Sequence, residues 1–133
     1  MSTSVQSKER GWPWRNRIAL LAISVLLLGA AILGELGPAG ASLTSAARPY
    51  NLFHLVAGVI GLVVFFSRHP GAAAAFNLGF GLIDVYQAVA GVWGWAPARL
   101  FELRPADHVI HVVLGLALIA VAVPLRRATS ARW

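Results

Sequence analysis

Four long apolar stretches, separated by short polar breaks, dominate the chain. The first runs from Ile18 to Gly34 without a charge. The second, Tyr50 to Ser67, carries His54. The third, Ala72 to Trp95, carries Asp84, and the fourth, Val109 to Leu125, carries His111. A helix needs about 20 residues to cross the hydrocarbon of a bilayer, with a range of roughly 17–25. The pattern therefore predicts transmembrane helices over about residues 17–35, 50–67, 72–95 and 107–125. Segments apolar on every side do not suit the surface helices of a water-soluble domain. Barrel strands would alternate in polarity over about 10 residues, and no such alternation is present. The expected architecture is all-α: a four-transmembrane-helix up-down bundle forming one integral membrane domain over residues 1–133.

The breaks are chemically distinct. Gly37-Pro38-Ala39-Gly40 ends the first segment, and Pro49 opens the second, where a missing N–H costs nothing. Arg68-His69-Pro70-Gly71 reads as a tight turn. Pro97 is expected to end the third segment, Pro105 with Asp107 to start the fourth, and Pro124 with Arg126-Arg127 to close it. A rival reading takes the N-terminus as a signal peptide cleaved at Ala39-Gly40-Ala41. The apolar run of Ile18–Gly34 exceeds the roughly 7–15 residues of such a region, which favours a retained first helix.

Composition agrees with the pattern. The chain of 133 residues is 58% hydrophobic and 12% charged, against roughly 25% charged in an ordinary soluble domain. Its net charge of +6 does not mark a nucleic-acid binder, because the basic residues sit at the termini and in loops rather than along one face. They instead set orientation. Lys8, Arg10, Arg15, Arg17, Arg68, Arg126, Arg127 and Arg132 fall on one side of a four-span bundle, and Arg48, Arg99 and Arg104 on the other. The richer side, with both termini, is expected to be cytoplasmic. Trp12 and Trp14 would then sit at the inner interface, and Tyr50, Trp93 and Trp95 at the outer one. The absence of cysteine excludes disulfides, zinc-thiolate sites and iron–sulfur clusters. The expected partner is the lipid bilayer and, for so small a chain, other membrane subunits or a second copy.

The second and fourth segments resemble each other. Asn51-Leu-Phe-His54-Leu-Val-Ala-Gly58 is matched by His108-Val-Ile-His111-Val-Val-Leu-Gly115. In each, a polar residue is followed by His three positions on and Gly four further. This predicts two helical hairpins in the same orientation, each placing one histidine about a turn inside the outer membrane surface above a glycine notch.

The Asn51-x-x-His54-x-x-x-Gly58 start of the second helix and the Asp107-His108-Val-Ile-His111 start of the fourth resemble a family of uncharacterised bacterial membrane proteins, domain of unknown function 4383. The resemblance covers about residues 48–124 and implies a four-helix integral membrane protein, with no established activity, cofactor or catalytic residue. Asn51, His54, Asp107 and His111 match its polar motif. His108 stands where a small amide side chain is expected, and Asp84 is not part of the pattern.

Ionisable groups inside a membrane are costly and usually face the bundle interior. His54 and His111 suit either hydrogen bonding between helices or the ligation of haem, a metal or a quinone headgroup. A metal reading would enlist Glu35, Asp107 or His108, the last three residues from His111 on one face. Asp84 lies deep in the third segment with no Lys or Arg at its depth. It is expected either to be protonated or bonded to a neighbour such as Gln87, His or a Ser hydroxyl, as a tie between helices, or to serve a proton-coupled transporter or channel. Asp107 is placed to cap the fourth helix, and Glu35 to be solvated at the boundary. No phosphate-binding loop, catalytic triad or di-iron spacing is present. The favoured expectation is a structural or accessory component of a membrane complex, with no catalytic residues.

Overall fold

The computed structural model describes residues 3–38, 42–69 and 71–124, with side chains from Pro13 onward. Four helices follow in order: α1 (Thr3–Leu36), α2 (Arg48–Ser67), α3 (Ala72–Trp93) and α4 (Pro105–Ala122). Each holds a span long and apolar enough to cross a membrane, that of α1 being Pro13–Leu36. The fold is all-α, as the apolar pattern predicts.

The ends differ from the sequence reading in instructive ways. Helix α1 begins well before residue 17 and carries Pro13 inside it. An apolar run marks hydrocarbon, whereas a helix, once nucleated, gains a hydrogen bond per added residue and continues beyond the lipid boundary. Helix α3 stops at Trp93, before Pro97. Gly94 adopts φ 66°, its N–H donates to the Ala90 carbonyl, and the left-handed turn ends the helix there. Gly71, at φ 79°, starts the same helix. Pro105 stands at the first position of α4 and Pro49 at the second of α2, both within the first turn. Ala39–Ala41, Pro70 and the C-terminal arginines lie outside the described residues, so neither the cleavage pattern nor the Arg126-Arg127 stop is visible.

Packing is by hairpin. Helix α1 lies mainly on α2 and α3 mainly on α4, with thinner contacts between the pairs. The core joins them through Ile23 and Leu27 of α1, Ala57 of α2, Phe80 of α3 and Leu118 of α4, and Phe80 stacks with Phe53 and Phe76. Outward faces remain apolar, as at Leu33, Phe66 and Val92, each more than 70% exposed. Surface of that kind suits lipid rather than water.

The hairpin repeat extends further than the short motif suggests. A common offset of 57 residues relates Gly34 to Gly91, Asn51 to His108, His54 to His111 and Gly58 to Gly115. The packing follows it. Asn51 presses on Gly34 of α1, and His108 presses on Gly91 of α3. Gly58 faces Ser24 and Leu28 of α1, while Gly115 faces Gly81 and Val85 of α3, again the same offset apart.

Candidate functional site

At the end of the bundle where the 42–47 and 95–104 loops lie, polar side chains from α2, α4 and both loops meet. Asp107, only 1% exposed, organises them. Its Oδ2 accepts the Arg104 N–H at 2.8 Å, which caps α4, and the Ser45 N–H at 2.9 Å, which ties the 42–47 loop to that helix. Its Oδ1 accepts the Tyr50 hydroxyl at 3.3 Å. Ser45 Oγ donates to the Phe101 carbonyl at 2.5 Å, and Arg104 donates to the Ser42 carbonyl. The two loops are thereby sewn together over the helix ends.

Tyr50 links the two histidines. Its hydroxyl lies 2.8 Å from His111 Nε2, and its ring centre 4.1 Å from that of His54. Phe101 packs against Tyr50 and Phe53 from the loop side, with ring centres 5.4 Å apart in each case. Placement of Tyr50 in an interfacial aromatic belt is therefore corrected. It is buried, because its hydroxyl finds partners inside the protein instead of at the headgroups. Trp93 and Trp95 do stand exposed, stacked on one another.

Beneath this cluster a cavity of about 550 Å³ opens between α1 and the other helices. One part of its wall is polar: Ser42, Thr44 and Ser45 of the loop, with Tyr50, His54, Asp84, Asp107 and His111. The remainder is apolar and comes largely from α1, including Leu26, Gly29, Ala30 and Leu33. Asp84 is 3% exposed and has no hydrogen-bond partner among the described residues. His111 Nδ1 is likewise buried without a partner.

The sequence candidates divide at this cavity. His54, Asp84, Asp107 and His111 line it together. Asn51, Gln87 and His108 do not. Asn51 donates to the Ala46 carbonyl at 3.3 Å and to Glu35 at 3.5 Å, on the far side of α2. His108 lies against Gly91. Gln87 is buried but makes no bond to Asp84, and its Oε1 has no partner among the described residues. Glu35 pairs with Arg48 at 3.7 Å, both side chains being exposed. Among the described residues no group of three His, Asp or Glu side chains gathers where it could hold a metal, so neither Glu35, Asp107 nor His108 joins the two histidines in a ligand set there. For haem, the His111 Nε2 that would face iron is taken by Tyr50.

Residues outside the sequence candidates complete the arrangement. Tyr50 and Ser45 belong to the cluster; the repeat carried a signal for Tyr50, which stands at the position equivalent to Asp107. At the opposite end, Asn77 of α3 donates to the Asn16 carbonyl at 2.9 Å and to Asn16 Oδ1 at 3.0 Å. Asn16 Nδ2 in turn donates to the Val121 carbonyl of α4 at 3.2 Å. These two fully buried amides tie three helices together.

Fold and site together define a small protein of four membrane-length helices enclosing a ligand-sized cavity with one polar end. The chain belongs to the family described as Domain of unknown function (DUF4383), whose model matches residues 45–124. That stretch contains Tyr50, His54, Asp84, Asp107 and His111, whereas Ser42, Thr44 and the apolar wall from α1 precede it. No curated protein and no solved structure matches the chain.

Proposed function

We propose that this chain is a multi-pass protein of the bacterial cell membrane, with both termini cytoplasmic, that acts as an accessory component by holding a small amphipathic molecule in the cavity beside α1. The observation carrying this reading is the division of the cavity wall. Its size falls within the roughly 300–1,000 Å³ of small-molecule sites. Hydrogen-bonding groups converge at one end, and aliphatic side chains line the rest. Leu26 and Leu33 belong both to the lining and to the exposed face of α1, so the cavity communicates with the side that lipid would cover. A ligand dissolved in the bilayer would come in sideways, headgroup toward Tyr50 and His111, tail along α1. The excess of Lys and Arg at the chain ends and the α2–α3 turn supports the orientation.

Gly29 supplies the test. Gly29 lines the cavity and a Cβ there would meet nothing within 4 Å, so Gly29→Leu starts its side chain in open space and is the variant suited to filling the cavity. Protein purified from its native membrane is extracted with organic solvent, and the extract compared by mass spectrometry with that of the variant. An amphipathic molecule present in stoichiometric amount with the parent chain and lost from a folded Gly29→Leu protein is expected. Identical extracts from both proteins sink the reading.

A further inference from the structure

The headgroup end of the cavity is unbalanced in charge and in hydrogen-bonding sense. Its wall contains two carboxyl groups, Asp84 and Asp107, and neither Lys nor Arg. Asp107 is already answered by two backbone N–H groups and the Tyr50 hydroxyl. Asp84 is answered by nothing: it is buried, and no donor or cation among the described residues reaches it. The tyrosine hydroxyl has one proton, and the Asp107 carboxylate is its stronger acceptor. The hydroxyl then accepts from His111 Nε2–H, which leaves the buried His111 Nδ1 a bare acceptor. Apart from the His54 ring N–H and a hydroxyl proton of the Ser42–Thr44 pair, the groups without partners on this wall are acceptors.

We infer that the cavity is selective for lipophilic organic cations, with the Asp84 carboxylate as counter-charge and the rings of Tyr50 and Phe80 as the surfaces against which the cation rests. A buried carboxylate is stabilised when a cation is brought to it in a site shut off from water. Aromatic faces attract a poorly hydrated cation through the ring quadrupole, most strongly once it is desolvated. An anionic headgroup such as a phosphate would instead meet two carboxylates with no basic side chain to offset them. A neutral headgroup could accept from His54, and from Asp84 only while that carboxyl keeps its proton, and would bring no counter-charge to its carboxylate form. The apolar wall from α1 suits a cation whose charge is spread over a hydrocarbon body.

This inference rests on the cavity reading above, and the experiment separates the two. The full-length protein in dodecylmaltoside is placed in equilibrium dialysis against three probes: tetraphenylphosphonium, the similarly shaped anion tetraphenylborate, and the neutral decylubiquinone. Saturable binding of tetraphenylphosphonium alone is expected. Asp84→Asn, which keeps shape and removes charge, should weaken it about tenfold or more. Gly29→Leu should abolish it while leaving Asp84 untouched. Saturable binding of decylubiquinone or tetraphenylborate that is lost in Gly29→Leu, with no binding of the phosphonium, overturns the cation inference and leaves the cavity reading standing. Phosphonium binding unchanged in Asp84→Asn also overturns it. If no probe binds saturably to the folded parent protein, both readings fall.

Discussion

The two hairpins place their helices by the same positions and then put different chemistry on them. Gly58 and Gly115 are the notches, Asn51 and His108 the side chains pressed on a glycine of the preceding helix, and His54 and His111 the inward rings. Where the cavity forms, the equivalence breaks. Tyr50 in the first hairpin corresponds to Asp107 in the second, and Leu27 of the core corresponds to Asp84 of the cavity wall. Packing positions have thus stayed alike in the two halves while the surfaces between them differ, so that one half supplies most of the apolar wall and the other both carboxylates. A symmetric pair would make a uniform seam; this pair makes a cavity with two ends.

That comparison can be broken at its strongest point first. Gly115 meets the Gly81 backbone carbonyl, at 2.8 Å from an added Cβ, whereas Gly58 meets the Leu28 side chain at that distance and the Ser24 backbone carbonyl only at 3.1 Å. Backbone cannot step aside and a leucine can. Gly115→Ala should destabilise by about 3 kcal/mol and Gly58→Ala by about 1 kcal/mol. Unfolding titrations in mixed micelles read both, and equal costs would show that the two notches are equally tight. Next come the divergent partners. Asp107→Ala removes the α4 cap, the tie to Ser45 and the acceptor for Tyr50, and should cost about 2 kcal/mol. Tyr50→Phe removes only a hydroxyl and should cost about 0.6–1.7 kcal/mol, the scale of hydrogen bonds between membrane helices. A larger loss from Tyr50→Phe would make the tyrosine, not the aspartate, the organiser of the cluster. The smallest effect concerns an ion pair that only the first hairpin has. Glu35 and Arg48 are exposed, and the equivalent positions in the second hairpin are Val92 and Pro105. Glu35→Gln should change the unfolding midpoint by less than the equivalent of about 0.5 kcal/mol.

The four helices were legible in the sequence because an apolar run of sufficient length has few other uses, and the repeat because its polar residues recur at one spacing. The ends were less so: the start of α1 lies in polar sequence that hydropathy ignores, and the end of α3 is set by Gly94 instead of the more conspicuous Pro97. Of the site, Asp84 and the two inward histidines stood out as polar residues in apolar surroundings. Tyr50 did not, since an amphipathic ring near a helix end suits an interface equally well. Asn16 and Asn77 escaped notice because uncharged amides barely interrupt an apolar or boundary segment. The cavity itself had no sequence signal. It depends on how far α1 stands from α4, which is a property of the packing between hairpins and of no single segment.

The buried amides at one end and the sewn loops at the other have a mechanical consequence. Asn16 and Asn77 clasp α1, α3 and α4 at their base, and Ser45 with Asp107 clasps the loop after α1 to α4 at the top. Between these fastenings the two hairpins meet only lightly. A structure pinned top and bottom cannot splay from either end, so any change of width is confined to its waist. The waist is where Gly29 leaves room.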